Sequence, residues 1–401
     1  MNNNASTANN FQSAFVGGSR LRIIVLGLIV RYPLGGHTWQ PLQYVMGLAR
    51  LGHDVYFVED SGDNPFCYNP LTYTTDADAS YGLRFARRTF ADVGLGERWA
   101  YYHAPTSGWI GPCAYRINHV CKSADLLLNL SGVNTLRPWL MSIPARALVD
   151  TDPVFTQINH LTDPDTRNRA LQHTAFLSYG ENIGSPQSST PDDGLPWQPT
   201  RQPVVLDAWS RAPGPAQGRY TTVMQWNSYP ARQYNGLRYG MKSDSFVPYT
   251  DLPSQVGNIL ELAMPGVLEA TPTMLQGKGW ELRDAREPTR EPWAYQRYIQ
   301  DSKAEFSVAK HAYVVSRSGW FSERSACYLA SGRPVVTQET GFSDWLQSPG
   351  GLIPFRTPEE AVASIKEINS RYEYHCRTAR AIAEEYFDAR RVLSDLLERS
   401  L

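Results

Sequence analysis

The chain has 401 residues, and 38 lysines and arginines against 39 aspartates and glutamates leave a formal net charge of -1. Without an electrostatic excess there is no general hold on polyanions, so nucleic acid and anionic membranes are not expected partners. A hydrophobic content of 42% with only 19% charged residues excludes a disordered or fibrous chain, and the length suits two domains of roughly 150 to 200 residues each.

Residues 1–20, rich in Asn, Ser and Ala, lack a basic start followed by an apolar stretch and read as a loose tail, not a signal peptide. Leu21 to Val30 is a continuous apolar run, the pattern of a strand buried on both faces, and is far short of the roughly 20 residues that cross a bilayer. A glycine turn, Gly35-Gly36, leads to a helix from Pro41 to a stop at Gly52, and His53 to Asp60 returns as a second strand. This β-α-β unit implies a right-handed parallel crossover. Further strands are expected at Asp125 to Leu130 and Ala145 to Val149.

Ser185 to Pro203 collects Ser, Pro, Asp and Gly without periodicity and marks a linker, which places the domain boundary near residue 200. Beyond it, Thr221 to Trp226 and His311 to Ser316 read as strands. A helix then runs from Gly319 to Ala330, stopped by Gly332 and Pro334, and Val335 to Thr337 opens another strand. Ile382, Tyr386, Leu393 and Leu397 recur at helical spacing near the end of the chain. The five cysteines never form a C-x-x-C pair, which suits free thiols in a reducing cytosol and gives no metal signature. A cytoplasmic protein is expected.

Two α/β domains joined by a linker bring the carboxyl ends of two parallel sheets around one cleft, where such sheets bind ligands. Both glycine turns fall at such ends. In Gly35-Gly36-His37 the glycines allow close backbone approach, and His37 is suited to take a proton near neutral pH; a histidine that merely caps the helix is the rival reading. In Ser316-Arg317-Ser318-Gly319-Trp320-Phe321-Ser322-Glu323-Arg324, helix-start amides, hydroxyls and two guanidiniums suit a diphosphate. A well-capped helix would look similar.

GGHTWQPLQYVMGLARLGHDVYFVED resembles the first β-α-β unit of GT-B glycosyltransferases, and SGWFSERSACYLASGRPVV resembles the nucleotide-sugar signature of that superfamily. The resemblance implies two Rossmann-like domains facing a cleft: an acceptor domain at 21–200, a nucleotide-sugar domain at 201–375, and a C-terminal helix at 376–401 that crosses back to the first domain. It implies that Gly319 and Ser322, with Gly36, Arg317, Ser318, Glu323 and Arg324, bind the donor diphosphate or ribose, and that His37 is the base of an inverting reaction. Cys327 occupies the position of the ribose-binding glutamate, a departure for which Glu323 is the nearest substitute. Glu339 and Thr340, after the next strand, are expected near the donor sugar, and Asn227 and Lys242 near the phosphates. Asp152, or its neighbour Asp150, is expected to hold the His37 imidazole. Trp99, Tyr101, Tyr102, His103 and Trp109 offer rings for an acceptor.

The function expected is transfer of a sugar from a nucleoside diphosphate sugar, with UDP as the expected nucleotide, to a small-molecule or glycan acceptor. No cofactor or metal is expected to be required. A sugar-nucleotide epimerase and a non-catalytic nucleotide-sugar-binding protein are the alternatives; a transferase acting on DNA matches the neutral charge poorly.

Overall fold

The computed structural model describes residues 19–211, 214–265 and 270–401; most of the expected tail lies outside them. The first half builds an eight-stranded sheet from β1 (Arg22–Leu26), β2 (Asp54–Asp60), β3 (Trp99–His103), β4 (Gly108–Ile110), β5 (Leu126–Leu130), β6 (Ala145–Asp150), β7 (Ala175–Ser178) and β8 (Gln198–Pro199). Its strand order is β8-β7-β6-β5-β1-β2-β3-β4, parallel throughout except for the β3–β4 pair. In β1, Ile23, Ile24, Val25 and Leu26 are all buried, as a central parallel strand covered on both faces requires. Helix α1 (Gly35–Arg50) makes the crossover to β2, and Arg22 pairs with Asp54 through to Leu26 with Val58.

The second half builds a six-stranded parallel sheet from β9 (Tyr220–Val223), β10 (Leu260–Met264), β11 (Glu281–Asp284), β12 (Ala304–Ser307), β13 (Val335–Gln338) and β14 (Leu352–Phe355), in the order β11-β10-β9-β12-β13-β14. His311–Ser316, expected as a strand, is instead helix α2. Val314, Val315 and Tyr313 give that segment a strand-like composition, yet the buried strand is the preceding Ala304–Ser307, and α2 turns Ala312 and Tyr313 inward while leaving Val315 exposed. Helix α3 (Glu323–Ala330) follows, four residues after Gly319.

The C-terminal stripe divides between two helices, α4 (Tyr372–Tyr386) and α5 (Ala389–Ser400). At the bend the Val204 amide donates to the Phe387 carbonyl and the Ala389 amide to the Val204 carbonyl. α4 packs on α3 in the second half, and α5 crosses back onto α1 and the first sheet. Ile382, Leu393 and Leu397 are all buried there. One apolar cluster runs from β1 through Trp39, Trp209, Ile299 and Phe321 to Leu396, so the two halves share core across their boundary.

The rings expected to receive an acceptor are structural instead. Trp99 and Tyr101 are buried in β3, while Tyr102 packs against Trp109 and Trp139 at 4.9 and 4.7 Å. All five cysteines are free and buried. Among the described residues no helix is long and apolar enough to cross a membrane, and no group of three His, Cys, Asp or Glu could hold a metal ion.

Candidate active site

A cavity of about 420 Å³ opens between the carboxyl ends of the two sheets. From the first half it is lined by Gly36, His37, Gln40, Thr151, Asp152 and Tyr179, and from the second by Lys242, Lys310, Tyr313, Trp320, Ser322, Glu323, Arg324 and Cys327 among others. A larger cavity of about 670 Å³, around Arg219 and Glu261, lies where the second sheet's strands begin, the end away from which open parallel sheets bind ligands. Three of its arginines are engaged: Arg219 and Arg283 share Glu261, and Arg297 faces Glu291.

His37 belongs to the first turn of α1, not to a loop before it, because the helix starts at Gly35. The two glycines are there for close packing. A Cβ on Gly35 would stand 2.2 Å from the Glu291 carbonyl oxygen, and one on Gly36 would stand 2.7 Å from the Tyr295 ring. Glu291 and Tyr295 come from the second half, so the glycines let the start of α1 touch it. The His37 ring is open to the cleft but walled by protein, and this crowding lowers its pKa below the ordinary histidine value, against a backbone hydrogen bond with Leu28 that raises it. Tyr32 stacks near it at 6.1 Å.

Asp152 does not hold His37. Its carboxylate accepts from the Tyr229 and Tyr313 hydroxyls and lies 2.9 Å from the Lys310 ammonium, all three from the second half. Asp152 is thus a tie across the cleft. Asp150 is also committed: it is buried and accepts from Thr156, Ser178, Gln157 and the Asp152 amide. Nearby, the Trp320 indole donates to the Thr151 carbonyl at 3.2 Å and stacks on Tyr313 at 4.4 Å.

The donor-side groups differ in how far they are already satisfied. The Arg324 guanidinium is fixed on Glu305 at 2.6 Å, the Val223 carbonyl at 2.7 Å and Ser307 at 2.7 Å. Lys242 has no hydrogen bond or ion pair among the described residues. Burial, and then the Arg324 charge beside it, hold its pKa well below the usual lysine value. Glu323, at the first position of α3, has a buried Oε1 without a partner, and burial pushes its pKa up to about 8. Cys327, one turn further on, is buried with its Sγ 3.9 Å from the Gln43 amide nitrogen. Ser322 is the N-cap residue, but its hydroxyl makes no capping bond and faces the cavity.

Six expected donor contacts do not line this cavity. Arg317, at the left-handed end of α2, pairs with Asp344 at 3.0 Å. The Ser318 carbonyl accepts from the Asn182 amide, and the Gly319 amide donates to the Thr340 carbonyl. Gly319 has φ +77°, and a Cβ there would meet Asn182 at 2.8 Å, so this turn is an interdomain contact with its amide already used. Glu339 accepts from the Gly341 amide and Ser343, and the Thr340 hydroxyl donates to the Trp320 carbonyl. Asn227 is exposed at the rim, accepting from Ser243 at 2.5 Å. Because α3 begins at Glu323, its free first-turn amides lie after Ser322 and not at Gly319. Lys310, Tyr229 and Tyr313 are not legible as site residues: Tyr313 sits in a segment that reads as a strand, Lys310 stands just before that segment, and Tyr229 lies in a loop. The scarcity of lysine in the chain was the available signal.

No protein-family model and no curated protein matches the sequence. Solved structures do match. An alpha-glucosyltransferase in complex with UDP and a 13-mer DNA containing an HMU base superposes with a TM-score of 0.59 at 10% identity, covering 95% of this chain and 99% of that one. Sucrose-phosphate synthase from Thermosynechococcus elongatus gives 0.53 at 10% identity over 94% and 98%. HepE from Anabaena, in complex with UDP and glucose, gives 0.53 at 9% over 94% and 99%. The chain therefore has the GT-B fold, two Rossmann-like domains across a cleft, over nearly its whole length. The expectation that nucleic acid is an improbable partner does not stand, since solved proteins of this same architecture bind DNA. A charge summed over a whole chain says nothing about how cations are grouped at one cleft.

Proposed function

We propose that this protein is a glycosyltransferase that moves a sugar from a UDP-sugar to an acceptor hydroxyl in the cleft between its domains. The observation that carries the reading is Lys242, a cation without a partner among the described residues, facing the interdomain cavity beside Arg324 and the start of α3. Two phosphates supply the counter-charge that Lys242 lacks among the described residues. Arg324 and the first-turn amides stabilise the leaving diphosphate, with Ser322 as a hydroxyl donor. The UDP bound by solved structures of the same fold supports the choice of nucleotide. DNA is retained among possible acceptor classes on the same ground. The domain roles follow: 21–200 presents the acceptor, 201–375 the donor, and 376–401 ties them.

In an inverting reaction His37 takes the acceptor proton as sugar transfer proceeds; its lowered pKa keeps it neutral and able to do so at pH 7. Retention is the second reading, favoured by the commitment of Asp150 and Asp152 elsewhere, which leaves His37 without a carboxylate to stabilise its charged form. The test is incubation with UDP-glucose and a panel of acceptors, with release of UDP followed and the anomeric configuration of the product read by NMR. Binding of UDP-glucose with neither hydrolysis nor transfer would reduce the protein to a binding module, and isomerised donor without acceptor would make it an epimerase.

A further inference from the structure

Beside the cavity, on the first domain's side, aromatic rings continue outward from His37. Tyr32 lies 6.1 Å from the His37 ring and Tyr68 lies 6.5 Å from Tyr32, each pair only 24° from parallel. Tyr68 sits on a hairpin of residues 67–69 and 74–76, which the Tyr68 amide anchors to the Arg31 carbonyl at 2.8 Å. At the hairpin's tip Tyr73 is held from the other domain by the Arg286 guanidinium, 4.1 Å from its ring centroid. Tyr32 is 40% exposed and Tyr73 50%, and Phe66 and Leu71 of the same segment are 59% and 74% exposed. Large apolar groups gathered in one place on a surface mark a binding site more often than chance exposure does.

The polar groups beside this shelf narrow what it takes. Glu59 is spent on the amides of Ile29, Val30 and Arg31. Asp60 holds Arg137 and the Gly62 amide, Asp63 also holds Arg137, and Asp284 holds Arg286. A polyol is gripped by carboxylates and amides that reach its hydroxyls, and here Glu59, Asp60, Asp63 and Asp284 are taken, while Asp76 on the hairpin's second strand accepts from the Asp78 amide. Near-parallel rings among carboxylates that are mostly engaged suit a flat ring, which needs a face and no hydrogen bonds.

We infer that the shelf formed by Tyr32 and Tyr68 beside His37 binds an acceptor through a planar aromatic ring, and so selects hydroxyl acceptors that carry one. The inference rests on the reading of the cavity as a transfer site, since it puts the ring where an attached hydroxyl reaches His37. A nucleobase and an aryl group share this chemistry and are separated by the choice of probes.

The full chain is titrated by calorimetry, with and without UDP, against two probe pairs: 4-nitrophenyl β-glucoside with methyl β-glucoside, and thymidine with 2-deoxyribose. The ring-bearing member of at least one pair binds on the order of tenfold more tightly, the low end of what one stacked ring contributes. Tyr32→Ala and Tyr68→Ala abolish that preference, Tyr32→Phe keeps it, and UDP affinity is unchanged in all three. Equal binding within both pairs, or a preference that survives both alanine variants, overturns the inference. Failure of the wild type to bind UDP counts against the donor site instead, and the titrations without UDP still decide the shelf.

Discussion

Lys242→Met is the sharpest perturbation of the donor site, because the charges around this lysine are arranged so that the free protein and the bound one respond in opposite directions. Arg324 is neutralised by Glu305, and Lys310 by Asp152. Lys242, half-buried, faces both cations, with its pKa held well below the ordinary value by the surrounding protein and by Arg324. A group whose folded pKa is lowered in this way binds fewer protons folded than unfolded, so it subtracts stability at pH values below its unfolded pKa. The penalty is full below the folded value and fades as the pH rises from there to the unfolded value. Methionine keeps the length and removes the charge. The melting temperature of the free protein at pH 7 should therefore rise, by roughly 2 °C if about 1 kcal/mol of strain is relieved. A diphosphate reverses the balance, since its negative charge favours the protonated lysine. A hydrogen bond to a charged group is worth about 1.5–3 kcal/mol, so the variant should bind UDP on the order of 10- to 100-fold more weakly. Calorimetry in buffers of different ionisation enthalpy should show proton uptake on UDP binding to the wild type and less in the variant. A variant that melts lower and binds UDP normally would show Lys242 to be a structural cation and would refute the reasoning.

Gly36→Ala should destabilise the chain by about 1–3 kcal/mol, because the new methyl group meets the Tyr295 ring at 2.7 Å, and a lowered urea midpoint without a changed slope would register it. Glu323, with its pKa pushed up to about 8, binds a proton in the folded state that it has lost in the unfolded state between the ordinary carboxylate range and pH 8, so stability falls as pH rises across that window. Glu323→Gln should flatten this slope in melting curves taken from pH 5 to about pH 8; an unchanged slope would place the titration elsewhere. His37→Ala and His37→Gln should lose about 10²- to 10⁴-fold in turnover with UDP affinity intact if His37 is the base. The wild-type rate should then fall only below the ordinary histidine pKa, given the lowered value, whereas variants close to wild-type turnover would leave retention as the standing mechanism.

The first β-α-β unit is legible because a central parallel strand, buried on both faces, must be an unbroken apolar run, and Leu21 to Val30 is one. The returning C-terminal helix is legible for a similar reason, since a stripe such as Ile382, Leu393 and Leu397 needs cover. The cleft resists reading because its parts meet only in space. Asp152 and Lys310 are 158 residues apart and belong to different domains, and local periodicity carries no trace of that contact. A strand over His311–Ser316, which its β-branched residues favour, would not turn Tyr313 into the cleft, and Lys310 just before it is in fact the N-cap of a helix. Gly319 shows the opposite error: a glycine that looks made for phosphate serves the approach of Asn182.

The same distinction bears on His37. Gly35 and Gly36 are required by the backbone of Glu291 and the ring of Tyr295, so the glycine pair before the histidine is accounted for by packing alone. The pair therefore lends no weight to a catalytic role. What remains is placement. Packing against the second domain fixes the first turn of α1, and with it the imidazole, at the mouth of the cavity that Lys242, Arg324 and Glu323 line from the far side. In the proposed reaction, a sugar whose diphosphate lay on the start of α3 would project its anomeric carbon into the space between them. In that proposed geometry His37 would stand on the acceptor side, with the Tyr32 ring 6.1 Å from its own. The interdomain contact at Gly35 thus does for the start of α1 what the Asp152 tie does for the cleft as a whole: it fixes the two domains against each other, and in the proposed reaction it would set the distance across which the sugar moves.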